Sequence, residues 1–186
     1  ISKFYKLVSL EELISKHNSK NDLKNLFAIT FDDGWKSTCE PVVTIAKNNN
    51  WPITIYIPTH VIEGRQTLWF AHHDELFKFC ANKKSRIKKY GLDFSTDTLA
   101  RSSRKIITNR LINSEYQESI NILEIISKYS GYNLDFSHKN FVDEDFIKNL
   151  SNDNYIHFGS HGRTHQALAA MDENQLKNEL SISKNI

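Results

Sequence analysis

The stretch Ile29-Thr30-Phe31-Asp32-Asp33-Gly34 puts two adjacent carboxylates at the end of an apolar, β-favouring run and follows them with a glycine. Residues 27–31 are of the β-branched and aromatic types that fill a buried strand, and Gly34 supplies the positive φ that can end one. Two neighbouring carboxylates at a strand end repel each other. A cation or a shared proton must hold them there. Asp-Asp-Gly is also a common solvent-exposed turn, and this segment alone does not separate the two readings.

A second segment does. Residues 155–165 read Tyr-Ile-His-Phe-Gly-Ser-His-Gly-Arg-Thr-His: another short apolar run, a glycine, then His161 and His165 four residues apart. On one helical turn that spacing would put both imidazoles on the same face, a common way to offer two nitrogens to zinc. A histidine pair alone also occurs on solvated helices. Joined to a carboxylate pair after another strand, it makes a two-histidine, one-carboxylate metal site with a spare carboxylate beside it. Spacing does not say which aspartate binds and which is left for proton transfer.

Thr30-Phe31-Asp32-Asp33-Gly34 and Ser160-His161-Gly162-Arg163-Thr164-His165 resemble two motifs of the polysaccharide deacetylases of carbohydrate esterase family 4, the NodB homology domain. Gly162 stands where that family usually has Ser or Thr. The likeness covers residues 24–62 and 154–186 and does not extend to the middle of the chain. It implies an α/β fold, part of a distorted (β/α)7 barrel. It implies a hydrolase that removes N-acetyl groups from N-acetylhexosamine units of a glycan, with a divalent ion, Zn2+ above others, as cofactor. By the same resemblance Asp33, His161 and His165 are the metal ligands and Asp32 the catalytic base. A backbone N–H in the turn after the second strand would stabilise the oxyanion. Trp35, next to the first motif, is a candidate substrate contact; it and Trp69 could stack on a sugar or fill the core.

The family also carries three later motifs, one with a histidine that serves as general acid, and none follows Ile186. Residues 1–186 are therefore expected to be a single domain that is incomplete at its C-terminal side, with the metal half of the site and without the acid half. The same chemistry would suit an O-acetyl glycan esterase. Loss of the acid motif would suit a catalytically inactive carbohydrate-binding relative. An unrelated helical metal protein is the fourth possibility.

The surrounding pattern is that of a βαβ unit. Ser9 and Glu12 form a capping box for a helix over 7–17. The first strand spans 27–31. Ser37 and Glu40 suggest a second capping box, with Pro41 in the first turn and Asn48-Asn49-Asn50 as the stop. The second strand, 53–57, closes at Pro58. Residues 63–150 then read as a helical insertion, with apolar positions around Trp69, Leu76, Phe77, Ile107, Leu111, Ile120 and Leu123, and a last helix capped by Asp143.

With 39% hydrophobic and 25% charged residues this is ordinary globular material, and a net charge of +2 points to no nucleic-acid partner. Residues 78–110 hold ten basic side chains and two acidic ones. They read as solvated helix faces because no aromatic ladder accompanies them. His72-His73-Asp74 is discounted as a metal cluster, since adjacent histidines on a helix point apart. His157 is expected to pack in the core or support a ligand, Ser160 to hydrogen-bond near the metal, and Arg163 to face solvent. Two distant cysteines, Cys39 and Cys80, make no disulfide framework. No apolar run is long enough to span a membrane. The substrate class favours the cell envelope or the exterior as its location and leaves the cytoplasm open.

Overall fold

Short β-branched runs joined by a helix can pair only in parallel, and such pairing organises the first part of this chain. The computed structural model describes residues 4–63, 68–135 and 140–185. In chain order come β1 (Lys6–Leu7), α1 (Leu10–Asn18), β2 (Leu26–Phe27), β3 (Ile29–Phe31), α2 (Lys36–Asn49), β4 (Ile53–Ile57) and α3 (Thr59–Ile62). They are followed by α4 (Trp69–Asn82), β5 (Arg86–Ile87), β6 (Leu92–Asp93), α5 (Asp97–Ile112), α6 (Tyr116–Ser130), α7 (Glu144–Leu150), β7 (Ile156–Ser160) and α8 (Glu173–Lys184). The chain divides into two compact units. One comprises Ile1–Arg65, His138–Arg163 and Ile182–Ile186, the other Gln66–Ser137 and Thr164–Ser181.

In the first unit β1 pairs with β2, β3 with β4 and β4 with β7, all in parallel. β2 and β3 are successive pieces of one run, interrupted at Ala28, that pair with different strands, β2 with β1 and β3 with β4. The α/β class is as expected, and the helix between β3 and β4 makes the anticipated βαβ unit. These strands do not close into a barrel among the described residues. The register aligns Ile29 with Ile53 and Ile53 with Ile156. β4, with a partner on each side, is the buried strand, and only its Tyr56 is partly exposed. β3 was expected to be buried but is only half-buried, with Thr30 exposed, because β4 is its one partner among the described residues.

Local capping follows the sequence in part. Ser9 Oγ accepts the Glu12 N–H at 3.1 Å, and Asp143 caps α7 by accepting from Phe146 N–H at 3.0 Å. Asn50 ends α2 in the left-handed conformation, φ 54°. The Ser37–Glu40 box does not form. α2 begins at Lys36 with Trp35 as an N-cap that makes no side-chain bond, so Pro41 lies inside the helix, beyond its first turn.

β7 holds its place through a glycine. Tyr56 and Gly159 are register partners across β4 and β7, and a Cβ on Gly159 would lie 2.6 Å from the Tyr56 ring. The ring occupies the volume a side chain at 159 would need.

The second unit has its own core. Trp69, Leu76, Phe77 and Cys80 from α4 meet Ile107 and Leu111 from α5 and Ile120, Leu123 and Ile126 from α6. Trp69 therefore fills the core. β5 and β6 form an antiparallel hairpin turned at Gly91, φ 64°, which the helical reading of this segment did not anticipate. The ten basic residues of 78–110 are all exposed. Several are spoken for: Arg86 pairs with Asp93 at 3.2 Å, Arg104 with Asp74, and Arg110 lies over the Tyr90 ring. His73 is tied to Asp74 at 2.9 Å and to Thr108 Oγ1 at 2.6 Å, and it belongs to no metal-like cluster among the described residues. Cys39 and Cys80 are free and buried. Burial, with Glu40 adding repulsion, pushes the Cys39 thiol up to about 11, which leaves it inert as a nucleophile.

Gly159→Ala should lower the stability of the protein by about 1–3 kcal/mol through overpacking, measured by urea unfolding. Adding Tyr56→Ala should recover part of that loss; if it does not, the steric explanation is wrong.

Candidate metal centre

Because β3, β4 and β7 run in parallel and in register, the segments after β3 and β7 leave the sheet at the same edge, where open α/β sheets carry their ligand sites. The chain turns sharply after β3. The Gly34 N–H reaches back to the Asp32 carbonyl at 2.9 Å, and the residue enclosed by that bond, Asp33, has φ 71°. This is the rarer, positive-φ kind of γ-turn, and Asp is among the few residues that tolerate it. Gly34 follows at φ 72°, and a Cβ there would approach Ile57 Cγ2 at 3.2 Å and Val142 Cγ2 at 3.3 Å. Only glycine meets both demands. The turn is braced from outside. The Gly34 carbonyl accepts the Val142 N–H at 2.8 Å, and Trp35 bridges to Phe141 with ring centroids 4.4 Å apart.

His161 is delivered by the β4–β7 ladder. Its N–H donates to the Ile57 carbonyl at 2.9 Å, one step beyond Ser160, and its Nε2 lies 3.5 Å from Asp33 Oδ1. The segment between His161 and His165 is a loop, not the helical turn that the four-residue spacing suggested. Gly162 at φ 75° and His165 at φ 57° break any helix. Thr164 fixes the middle of the loop. Its N–H and hydroxyl donate to the two oxygens of Glu179 at 2.7 and 3.0 Å, and Glu179 is only 5% exposed. The Phe70 ring lies 4.6 Å from that of His165.

Asp33 and His161 thus lie side by side within the first unit, and His165, four residues on, supplies the second imidazole of the candidate cluster. Two imidazole nitrogens and a carboxylate oxygen are the donor set zinc takes in catalytic sites, three protein ligands with a further position left for water or substrate. The residues fit such an ion. Asp32, beside Asp33, is exposed and its side chain is not part of this cluster.

Other expected residues fall differently. Trp35 is half-buried against Phe141, which limits how much of its face a sugar could cover. His157 sits within β7 opposite Thr54 and outside the cluster. Ser160 Oγ reaches the Gly162 carbonyl at 3.4 Å. Arg163 does not point freely to solvent, because its guanidinium forks onto Glu63 at 3.2 Å twice. The turn after β4 spends its amides on the loop: Thr59 N–H donates to the Gly162 carbonyl and His60 N–H to the Arg163 carbonyl. Neither is left over to face an oxyanion. Glu63 and Glu179 were not foreseen. Their partners lie 100 and 15 residues away, and no local pattern marks them.

A family model described as polysaccharide deacetylase matches residues 19–138, well over half of the 186-residue chain, and the chain belongs to that family. The match takes in the Asp32-Asp33 turn and most of the helical middle, which the motif likeness left uncovered, and it stops before His161. The family is one of hydrolases that act on acetyl groups. No curated protein and no solved structure matches the chain.

Replacing Thr164 by Val removes one of the two bonds to a buried carboxylate and should destabilise the fold by about 1–3 kcal/mol. Thr164→Ser, which keeps the hydroxyl, should cost distinctly less in the same urea titration; equal losses would show that the hydroxyl–Glu179 bond is not responsible.

Proposed function

We propose that this protein is a metal-dependent deacetylase that hydrolyses N-acetyl groups on N-acetylhexosamine units of a polysaccharide. The observation that carries the reading is the Asp33 carboxylate 3.5 Å from the His161 imidazole, with a second carboxylate beside it in sequence and His165 four residues on, in a chain of the polysaccharide deacetylase family. Asp33, His161 and His165 hold the ion, most simply Zn2+. When bound, such an ion lowers the pKa of water towards neutrality and polarises a carbonyl oxygen.

The chain's own residues do the rest. Asp32 stands next to a ligand in sequence but outside the ligand cluster, so its carboxylate is available to take a proton from the attacking water. The positive-φ turn at Asp33 and Gly34 is what aims two consecutive carboxylates at different tasks. The part of the Trp35 ring that Phe141 leaves uncovered offers an apolar surface for a sugar ring. The parallel strands are read as one stretch of a distorted (β/α)7 barrel. The helical segment 63–150 is read as an insertion within a single domain.

The test is acetate release from N-acetylglucosamine oligomers, with and without a chelator, alongside Asp33→Ala. Release that is abolished by chelation, restored by Zn2+ and lost in Asp33→Ala by at least a hundredfold supports the reading. Release only from O-acetylated glycans would make the protein an esterase. Stoichiometric zinc without any release would make it a carbohydrate-binding relative. A chain that binds no divalent ion would overturn the metal centre altogether.

A further inference from the structure

The loop that carries both histidines is fastened to the turn after β4 over a short distance. Three backbone bonds do this: His161 N–H to Ile57 carbonyl at 2.9 Å, Thr59 N–H to Gly162 carbonyl at 3.0 Å, and His60 N–H to Arg163 carbonyl at 2.9 Å. They continue the β4–β7 ladder and fix where residues 161–163 lie. Beyond Arg163 the chain must still reach His165, whose φ is 57°, and the ladder does not extend that far.

At this point the side chain of Arg163 closes a second fastening. Its Nε and Nη2 each lie 3.2 Å from a different oxygen of Glu63, the residue that ends α3. The Glu63 side chain is 14% exposed and that of Arg163 28%, so the pair is far better shielded than a surface ion pair. His60 lies against the same carboxylate, Nδ1 3.8 Å from Glu63 Oε2, and is itself buried. A bidentate fork fixes direction as well as distance, which a single lysine contact cannot do.

We propose that Glu63 and Arg163 form a positioning pair for the metal centre: by holding the Arg163 side chain to the end of α3, they set the path of residues 161–163 and hence the place of His161 beside Asp33. The inference rests on the metal-centre reading above. Neither residue is a ligand. Supporting groups of this kind are worth about 10–100-fold in metal affinity when removed, because ligands held loosely lose the preorganisation that binding needs.

The experiment measures Zn2+ affinity by competition with a chromogenic chelator for the wild type, Arg163→Met, Arg163→Lys, Glu63→Gln and the double variant Glu63→Gln/Arg163→Met. The urea midpoint of each metal-free protein is recorded alongside, and His161→Ala serves as the ligand-loss control. The expected result is affinity weakened about tenfold or more in Arg163→Met and Glu63→Gln. Arg163→Lys should fall between them and wild type, since it keeps the charge without the fork. The double variant should be no worse than the worse single, as for two halves of one device. Should Arg163→Met fail to fold, Arg163→Lys and Glu63→Gln decide the matter. Affinities within twofold of wild type in folded variants overturn the inference, as does a loss that tracks the metal-free midpoint. A wild type that binds no Zn2+ fails the metal centre itself, and the inference with it.

Discussion

The parallel ladder through β3, β4 and β7 is the constraint on which the rest depends. Sixteen-odd Å of strand is little structure, yet its register decides that an aspartate following one strand and a histidine following another emerge side by side. Ile29, Ile53 and Ile156 lie in the first row and Phe31, Ile55 and Phe158 in the third, while β4 and β7 run on to Ile57 and Ser160, so β3 stops two residues short of its neighbours. That shortfall is where the Asp33–Gly34 turn fits, packed against Ile57 and Val142. A one-residue slip of β7 would send its side chains to the opposite face. Gly159 under the Tyr56 ring makes such a slip costly.

Strain is concentrated where the chemistry is expected. Asp33 and His165, two of the three proposed ligands, have positive φ, and so do Gly34 and Gly162 beside them. Left-handed conformations at non-glycine residues cost of order 1–3 kcal/mol and persist only when the surroundings over-determine them. Here the surroundings do. Val142 and Phe141 hold one turn, and the buried Glu179 holds the other through Thr164. The two supports differ in kind. The first is backbone and ring packing; the second is a carboxylate buried to 5% exposure that has value only while its donors stay in place.

How much of this was legible in the sequence depends on the range of the interaction. β4 could be read to the residue because Ile53-Thr54-Ile55-Tyr56-Ile57 is a β-favouring run bounded by Pro52 and Pro58. The Ser9 and Asp143 caps were equally local. The Ser37 box failed because Trp35, with no capping side chain, started α2 early, and tertiary bracing at Phe141 outweighed local preference. The hairpin β5–β6 was hidden among lysines that looked like a helix face, although Gly91 was a turn signal. β1 is two residues long and carries no pattern at all. At the site, backbone geometry was not legible: His161 and His165 are joined by a loop with two left-handed residues and not by a helical turn.

That last difference changes what the histidine pair requires. A helix would place residues four apart by its own hydrogen bonds, and the neighbours between them would be free to vary. A loop has no such internal ruler, so each intervening residue must be anchored by something outside it. Gly162 gives its carbonyl to Thr59, Arg163 gives its carbonyl to His60 and its side chain to Glu63, and Thr164 is held by Glu179. Gly162 also accounts for the one departure from the family's usual Ser or Thr: at φ 75° a side chain would be strained, and glycine is not. The path of this loop is therefore a tertiary property: Arg163 and Thr164 are held by residues as distant in sequence as Glu63 and Glu179.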